Sequence, residues 1–255
     1  MSCRTLLFLL GYYASIVHAQ DPASGWMAYA VGKIPDSYER ITYLEMSWKV
    51  GAAASPSRAF YSPWFGMDPN DNLNLIQPVN PWSGRSWSMY TEYFQWQPTH
   101  NSNSASYSVQ PGQTLTGRLK YDNATDSYNL SQTIFETGDV SSQVVPCQDG
   151  KKYRLPYVVY EKTFPCADYP PDEEVVFYNI KAECDGIDCT EDIAWQVDVK
   201  DSNCEMAAHI LDSSSISITW NTSAASRFDD VSYGELRRLN SQSGWAKVLR
   251  EADQL

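Results

Sequence analysis

Residues 86–96 read SWSMYTEYFQW, and this stretch decides the fold. A period of two sorts it into Trp87, Met89, Thr91 and Tyr93 on one side and Ser88, Tyr90, Glu92 and Phe94 on the other, the pattern of an extended strand. Aromatic rings stand on both sides, so the strand is expected to be covered on each face. Downstream, residues 105–109 lead through the turn Gln110-Pro-Gly-Gln113 into residues 114–121. The turn Asn123-Ala-Thr-Asp126 then sends the chain back along residues 128–135, which makes a meander. Further strands fit residues 41–50, 58–66, 73–79, 155–163, 174–183, 193–199 and 215–220, each bounded by Pro, Gly, Asn, Asp or Ser clusters. About ten strands without intervening helices predict an all-β protein of two packed antiparallel sheets.

The ends differ from this body. Residues 1–19 carry one basic residue, Arg4, then the apolar run TLLFLLGYYASIV and a small-x-small-like site at Val17-His18-Ala19, which reads as a secretory signal peptide. No other stretch has the roughly 18 apolar residues a membrane span requires. Residues 20–225 are expected to form the sandwich domain, although residues 20–40 fit a short propeptide as well as a first strand. Residues 226–255 are expected to form a short helical tail, with Asp229 or Asp230 as cap and with Trp245 and Leu249 spaced to dock on the sandwich.

The chain has a formal net charge of −12, and loss of the signal peptide removes a base and no acid. Such a surface repels phosphates and shows no Lys/Arg cluster, so nucleic acid is excluded as a partner. Besides Cys3 there are Cys147, Cys166, Cys184, Cys189 and Cys204. An oxidising route makes these two disulfides and one spare thiol, with the pairing open. Asn123, Asn129 and Asn221 begin Asn-x-Ser/Thr sequons, which agrees with secretion as a glycoprotein.

Chemistry is sparse. The mature chain has only His100 and His209 as histidines and no Gly-x-Ser-x-Gly elbow, so a nucleophilic triad is unsupported. No cofactor is implied. No Cys-x-x-Cys with a nearby His suggests a metal, and the acidic stretches 68–72 and 185–192 read as Asx-rich turns rather than calcium loops. Abundant Trp and Tyr fit an aromatic cleft for an extracellular glycan or polypeptide, with Trp87, Tyr93 and Trp96 as the candidate binding rings.

Leu75-Ile-Gln77, then residues 87–98, then Tyr107-Ser-Val-Gln-Pro-Gly-Gln-Thr-Leu115 together resemble the eqolisins, the fungal glutamic peptidases. The resemblance continues through Tyr157-Val-Val-Tyr-Glu161 and residues 175–180, covering about residues 40–180 in order. It implies a concanavalin-A-like, jelly-roll sandwich, in agreement with the two sheets read above. It also implies a glutamate and a glutamine facing each other across the concave sheet, the glutamate activating water and later protonating the leaving amine, the glutamine amide stabilising the oxyanion. Gln77 matches the glutamine. Of two glutamates in the family's strand, the first falls on or beside Tyr157 and only the second is matched, by Glu161; Glu92 is a further carboxylate for the cleft. The sequence therefore favours a non-catalytic binding glycoprotein on this scaffold, with an acid endopeptidase using Gln77 and Glu161 or Glu92 as the alternative.

Overall fold

The structure is a computed structural model that describes residues 25–226 together with 231, 232, 234, 235 and 238. The expected signal peptide and nearly all of the expected helical tail, with Trp245 and Leu249, lie outside the described residues. In chain order the strands are β1 (Trp26–Lys33), β2 (Ile41–Lys49), β3 (Ser62–Pro69), β4 (Asn74–Val79), β5 (Trp87–Trp96), β6 (Thr99–Asn103), β7 (Tyr107–Val109) and β8 (Thr114–Asp122). They continue as β9 (Ser127–Ile134), β10 (Val140–Pro146), β11 (Tyr153–Glu161), β12 (Glu174–Cys184), β13 (Ile187–Asp188), β14 (Ala194–Val199), β15 (Ala207–Asp212) and β16 (Ser215–Thr219).

Two antiparallel sheets of eight strands each result. Sheet 1 runs β14-β1-β11-β3-β4-β5-β6 with β7 also on β5, and sheet 2 runs β10-β9-β8-β2-β12-β16-β15 with β13 on β12. This is the all-β sandwich expected from the period-two patterns. Residues 26–33 form a strand of the sheet, paired with β11 and β14. The main core lies between the sheets, where Trp48, Phe65, Met67, Ile76, Val158, Tyr160 and Phe177 are all fully buried. At Gly117 the sheets meet so closely that a Cβ would stand 2.5 Å from both the Phe65 ring and Pro78 Cγ. Glycine is required there by space, since any side chain would force the layers apart.

Cys166 pairs with Cys204 and Cys184 with Cys189, and Cys147 is a buried free thiol. The second disulfide closes the small loop across Asp185-Gly-Ile-Asp188. Asp185 uses its carboxylate to accept the backbone N–H groups of Glu39 (2.7 Å) and Arg40 (3.1 Å), which ties β2 to that loop and accounts for the acidic turn without an ion. No described helix is long and apolar enough to cross a membrane.

Candidate functional site

Sheet 1 has a second apolar cluster on the face turned away from sheet 2, containing Trp26, Tyr29, Trp64, Leu75, Val79, Phe94, Tyr157 and Val159. Because alternate residues of a strand share a face, the same side receives Gly66 and Asp68 from β3, Gln77 from β4, Glu92 and Trp96 from β5, and Glu161 from β11. This outer face gathers the chemistry.

Register sets one row across it. Tyr157 lies opposite Gly66, and Gln77 lies opposite Glu92. Gly66 is the bridge between the two pairs: a Cβ there would stand 3.0 Å from Gln77 Cβ and 2.6 Å from Ile76 O. Gln77 Nε2 donates to Glu92 Oε2 at 2.8 Å, and Asn101 Nδ2 donates to Glu92 Oε1 at 2.7 Å. Both Gln77 and Glu92 are 1% exposed. Burial pushes the Glu92 carboxyl up to about 8, although the two amide donors favour its ionised form.

Glu161 does not join this row. It lies opposite Ser62 and Trp26, four residues beyond Tyr157, which at strand rise is about 13 Å along β11. There it accepts a hydrogen bond from Trp64 Nε1 at 2.9 Å and forms an ion pair with Lys162 at 2.7 Å. Neighbouring strand residues ordinarily point to opposite faces. Lys162 meets Glu161 because its φ is 80°, a conformation that costs a non-glycine residue energy and is kept where the surroundings enforce it.

The candidate rings also separate. Trp96 lies on the outer face, half-buried and 4.4 Å edge-to-face from Phe94. Trp87 and Tyr93 have the opposite parity and lie in the main core. Trp87 packs on Tyr61 and Trp82, while the Tyr93 hydroxyl accepts from Asn74 Nδ2 and donates to Gln95 Oε1. The aromatic lining of the outer face comes instead from Trp26, Trp64, Tyr157 and Phe94, with Trp26 edge-on to both Trp64 (5.0 Å) and Tyr157 (5.2 Å).

Sequence reasoning missed one carboxyl. Asp68, read as part of an Asx-rich turn, is fully buried on the outer face, and neither of its oxygens has a well-formed hydrogen bond. Burial and the nearby Asp71 raise its pKa well above the ordinary range, against the opposing pull of Lys151 and the Asn74 backbone N–H. His100 and His209 are both exposed, His209 sharing a hydrogen bond with Thr219 on the far sheet. Among the described residues, no three His, Cys, Asp or Glu side chains group as a metal site.

No family model matches the chain, and no curated protein matches it. Among solved structures it is similar to scytalido-glutamic peptidase bound to a transition state analog inhibitor, with a TM-score of 0.58 and 15% identity over 77% of this chain and 98% of that one. It is also similar to SCP-B, a member of the eqolisin family of peptidases in complex with the tripeptide Ala-Ile-His, with a TM-score of 0.55 and 14% identity over 76% of this chain and 98% of that one. The likeness establishes a shared sandwich fold, as the sequence resemblance implied.

Proposed function

We propose that this chain is a secreted, non-catalytic sandwich that binds an extended polypeptide at the rim of the outer face of sheet 1, where Val31, Trp96 and Leu155 stay partly exposed around a buried centre. The observation that carries the reading is the row Tyr157, Gly66, Gln77. Across the glycine from the glutamine amide stands a phenol, which is no general base in acid, and the nearest carboxylate on β11, Glu161, is neutralised by Lys162. Each oxygen of Glu92 already accepts an amide hydrogen bond, and burial raises its carboxyl to about 8, so in acid it is protonated and no base. The tripeptide ligand named for SCP-B supports polypeptide over glycan as the bound chain. The two disulfides support an oxidising destination. Asn123 and Asn129 are exposed and open to glycosylation, whereas Asn221 donates to Glu205.

One observation favours a second reading, an acid endopeptidase built on Gln77 and Glu92. These two are in direct contact, and burial keeps Glu92 protonated through acid and neutral pH, so it holds a proton that a leaving amine needs. Incubation of the purified mature chain with an unfolded protein from pH 2 to 7 separates the two. Retention of intact substrate on the immobilised chain, without new termini by mass spectrometry, is the expected result. Acid cleavage abolished by Glu92→Gln with the fold retained establishes the peptidase, and neither retention nor cleavage removes both readings.

A further inference from the structure

Among the described residues, the end strand of sheet 1 has no strand partner on its open side. β14 is the last strand of sheet 1 and β15 the last of sheet 2, and the two lie side by side. Of the nine large apolar residues exposed on the described chain, four are here: Val197 (48%), Val199 (39%), Ile210 (41%) and Leu211 (55%). Exposed edges of this kind are ordinarily blunted by proline, lysine or a bulge. The run from Trp195 to Val197 has none of these, and its register with β1 is unbroken.

We propose that this edge is the docking surface for a second copy of the chain, β14 pairing antiparallel with its copy about a twofold axis at Val197. The backbone hydrogen bond from Lys200 N to Met27 O (2.8 Å) fixes the phase of the ladder. With it, Gln196, Asp198 and Lys200 turn their peptide groups toward β1, and Trp195, Val197 and Val199 turn theirs outward. A copy centred on Val197 then meets the edge with its own outward groups, and the cross-strand pairs are Val197 with Val197, Trp195 with Val199, and Gln196 with Asp198. These are apolar with apolar and amide with carboxylate, the pairs that stabilise a ladder.

The matched pairs favour a copy over an arbitrary strand, and charge excludes one neighbouring register. A shift that puts Val197 opposite Val199 sets the two Asp198 carboxylates face to face, which is repulsive. In the proposed register Asp198 keeps its bond from the Tyr29 hydroxyl (2.8 Å) and faces an amide, while the Val199 N–H, which donates to Asp198 at 2.8 Å in the single chain, is released to the copy's Trp195 carbonyl. The contact is isologous, as a closed dimer requires, and it brings Ile210 of each subunit toward the seam. This surface is separate from the outer-face row and does not depend on the proposed function.

Sedimentation equilibrium of the full secreted chain from about 1 to about 200 µM is the test. A monomer–dimer equilibrium is expected, weakened at least ~10-fold by Val197→Lys, which places two like charges on the axis. Val197→Cys is expected to give a covalent dimer under mild oxidation, because facing Cα atoms about 5.5 Å apart suit a disulfide. Leu211→Cys, on the outer face of sheet 2, is expected to give none. Both positions are exposed, so the thermal midpoint of each variant is expected to stay near that of the parent. A parent that stays monomeric at the highest concentration, or a dimer that neither Val197 variant alters, overturns the proposal.

Discussion

The two faces of sheet 1 are equally dry and differently made. On the inner face Phe65, Met67, Ile76, Val158 and Tyr160 are fully buried against sheet 2, a packing that stability alone explains. On the outer face Trp64, Leu75 and Val159 are as deeply buried, yet Asp68, Gln77, Glu92 and Glu161 sit among them at 0–3% exposure. Buried carboxyl groups cost free energy even when partnered, and apolar residues would fill the same space. The inner face is built to hold the sheets together. The outer face keeps groups that work against stability, the mark of a surface selected for something else.

The largest effect that tests this contrast is on the inner face. Phe65 packs edge-on to Trp48 at 5.9 Å and fills the space under Gly117, so Phe65→Ala is expected to destabilise by about 3–5 kcal/mol in urea unfolding. A loss as small as that of a surface site would mean that the sheets are held by something other than their shared core.

The outer face is expected to show itself through pH. The folded state raises Glu92 from 4.5 to about 8, so folding binds a proton there. The stability that this protonation supports is complete below the unfolded value and is lost as pH rises through 8, by up to ~4 kcal/mol. Asp68 acts in the same direction. Carboxylates held below their ordinary range, such as Asp188 and Glu173, affect only the acid limb, so urea midpoints between about pH 5 and 8 isolate the effect. Stability is expected to fall across that window, and Glu92→Gln is expected to flatten the slope. An unchanged slope in the variant would place the titration elsewhere.

Gln77→Leu is smaller still. It removes one of the two donors to Glu92 and is expected to cost about 1–3 kcal/mol, while pushing the Glu92 titration further upward, readable as a shifted pH midpoint. Smallest is Trp96→Ala, which trims a half-buried ring at the end of β5 and is expected to cost about 1 kcal/mol or less in the same unfolding assay. A larger loss would make Trp96 part of the buried cluster rather than its rim.

The strands legible in the sequence were those with one or both faces buried, because burial writes the alternation. β5, β8 and β9 read clearly for that reason. β6, Thr99–Asn103, carries no strand signal in the sequence, since an exposed edge strand has no apolar period. β10 is exposed at every second residue and sits at the edge of sheet 2. For the site, parity within β5 already separated Trp96 from Trp87 and Tyr93. The pairing of Gln77 with Glu92 follows from a hairpin between β4 and β5, a signal present in the turn-forming residues 80–86 but requiring register to use. Nothing local marks Asp68 or Lys162: the burial of the first and the backward turn of the second arise from neighbours more than a strand away.

Cys147 gives the molecule a built-in clock. The thiol is buried beside Arg40, Tyr121 and Tyr128, and burial raises it to about 11, so the native form offers an alkylating reagent neither access nor thiolate. It can react only in the moments when the region between β10 and β11 comes apart. The rate at which the unmodified protein takes up such a reagent therefore counts those openings directly, without a label, a mutation or a denaturant.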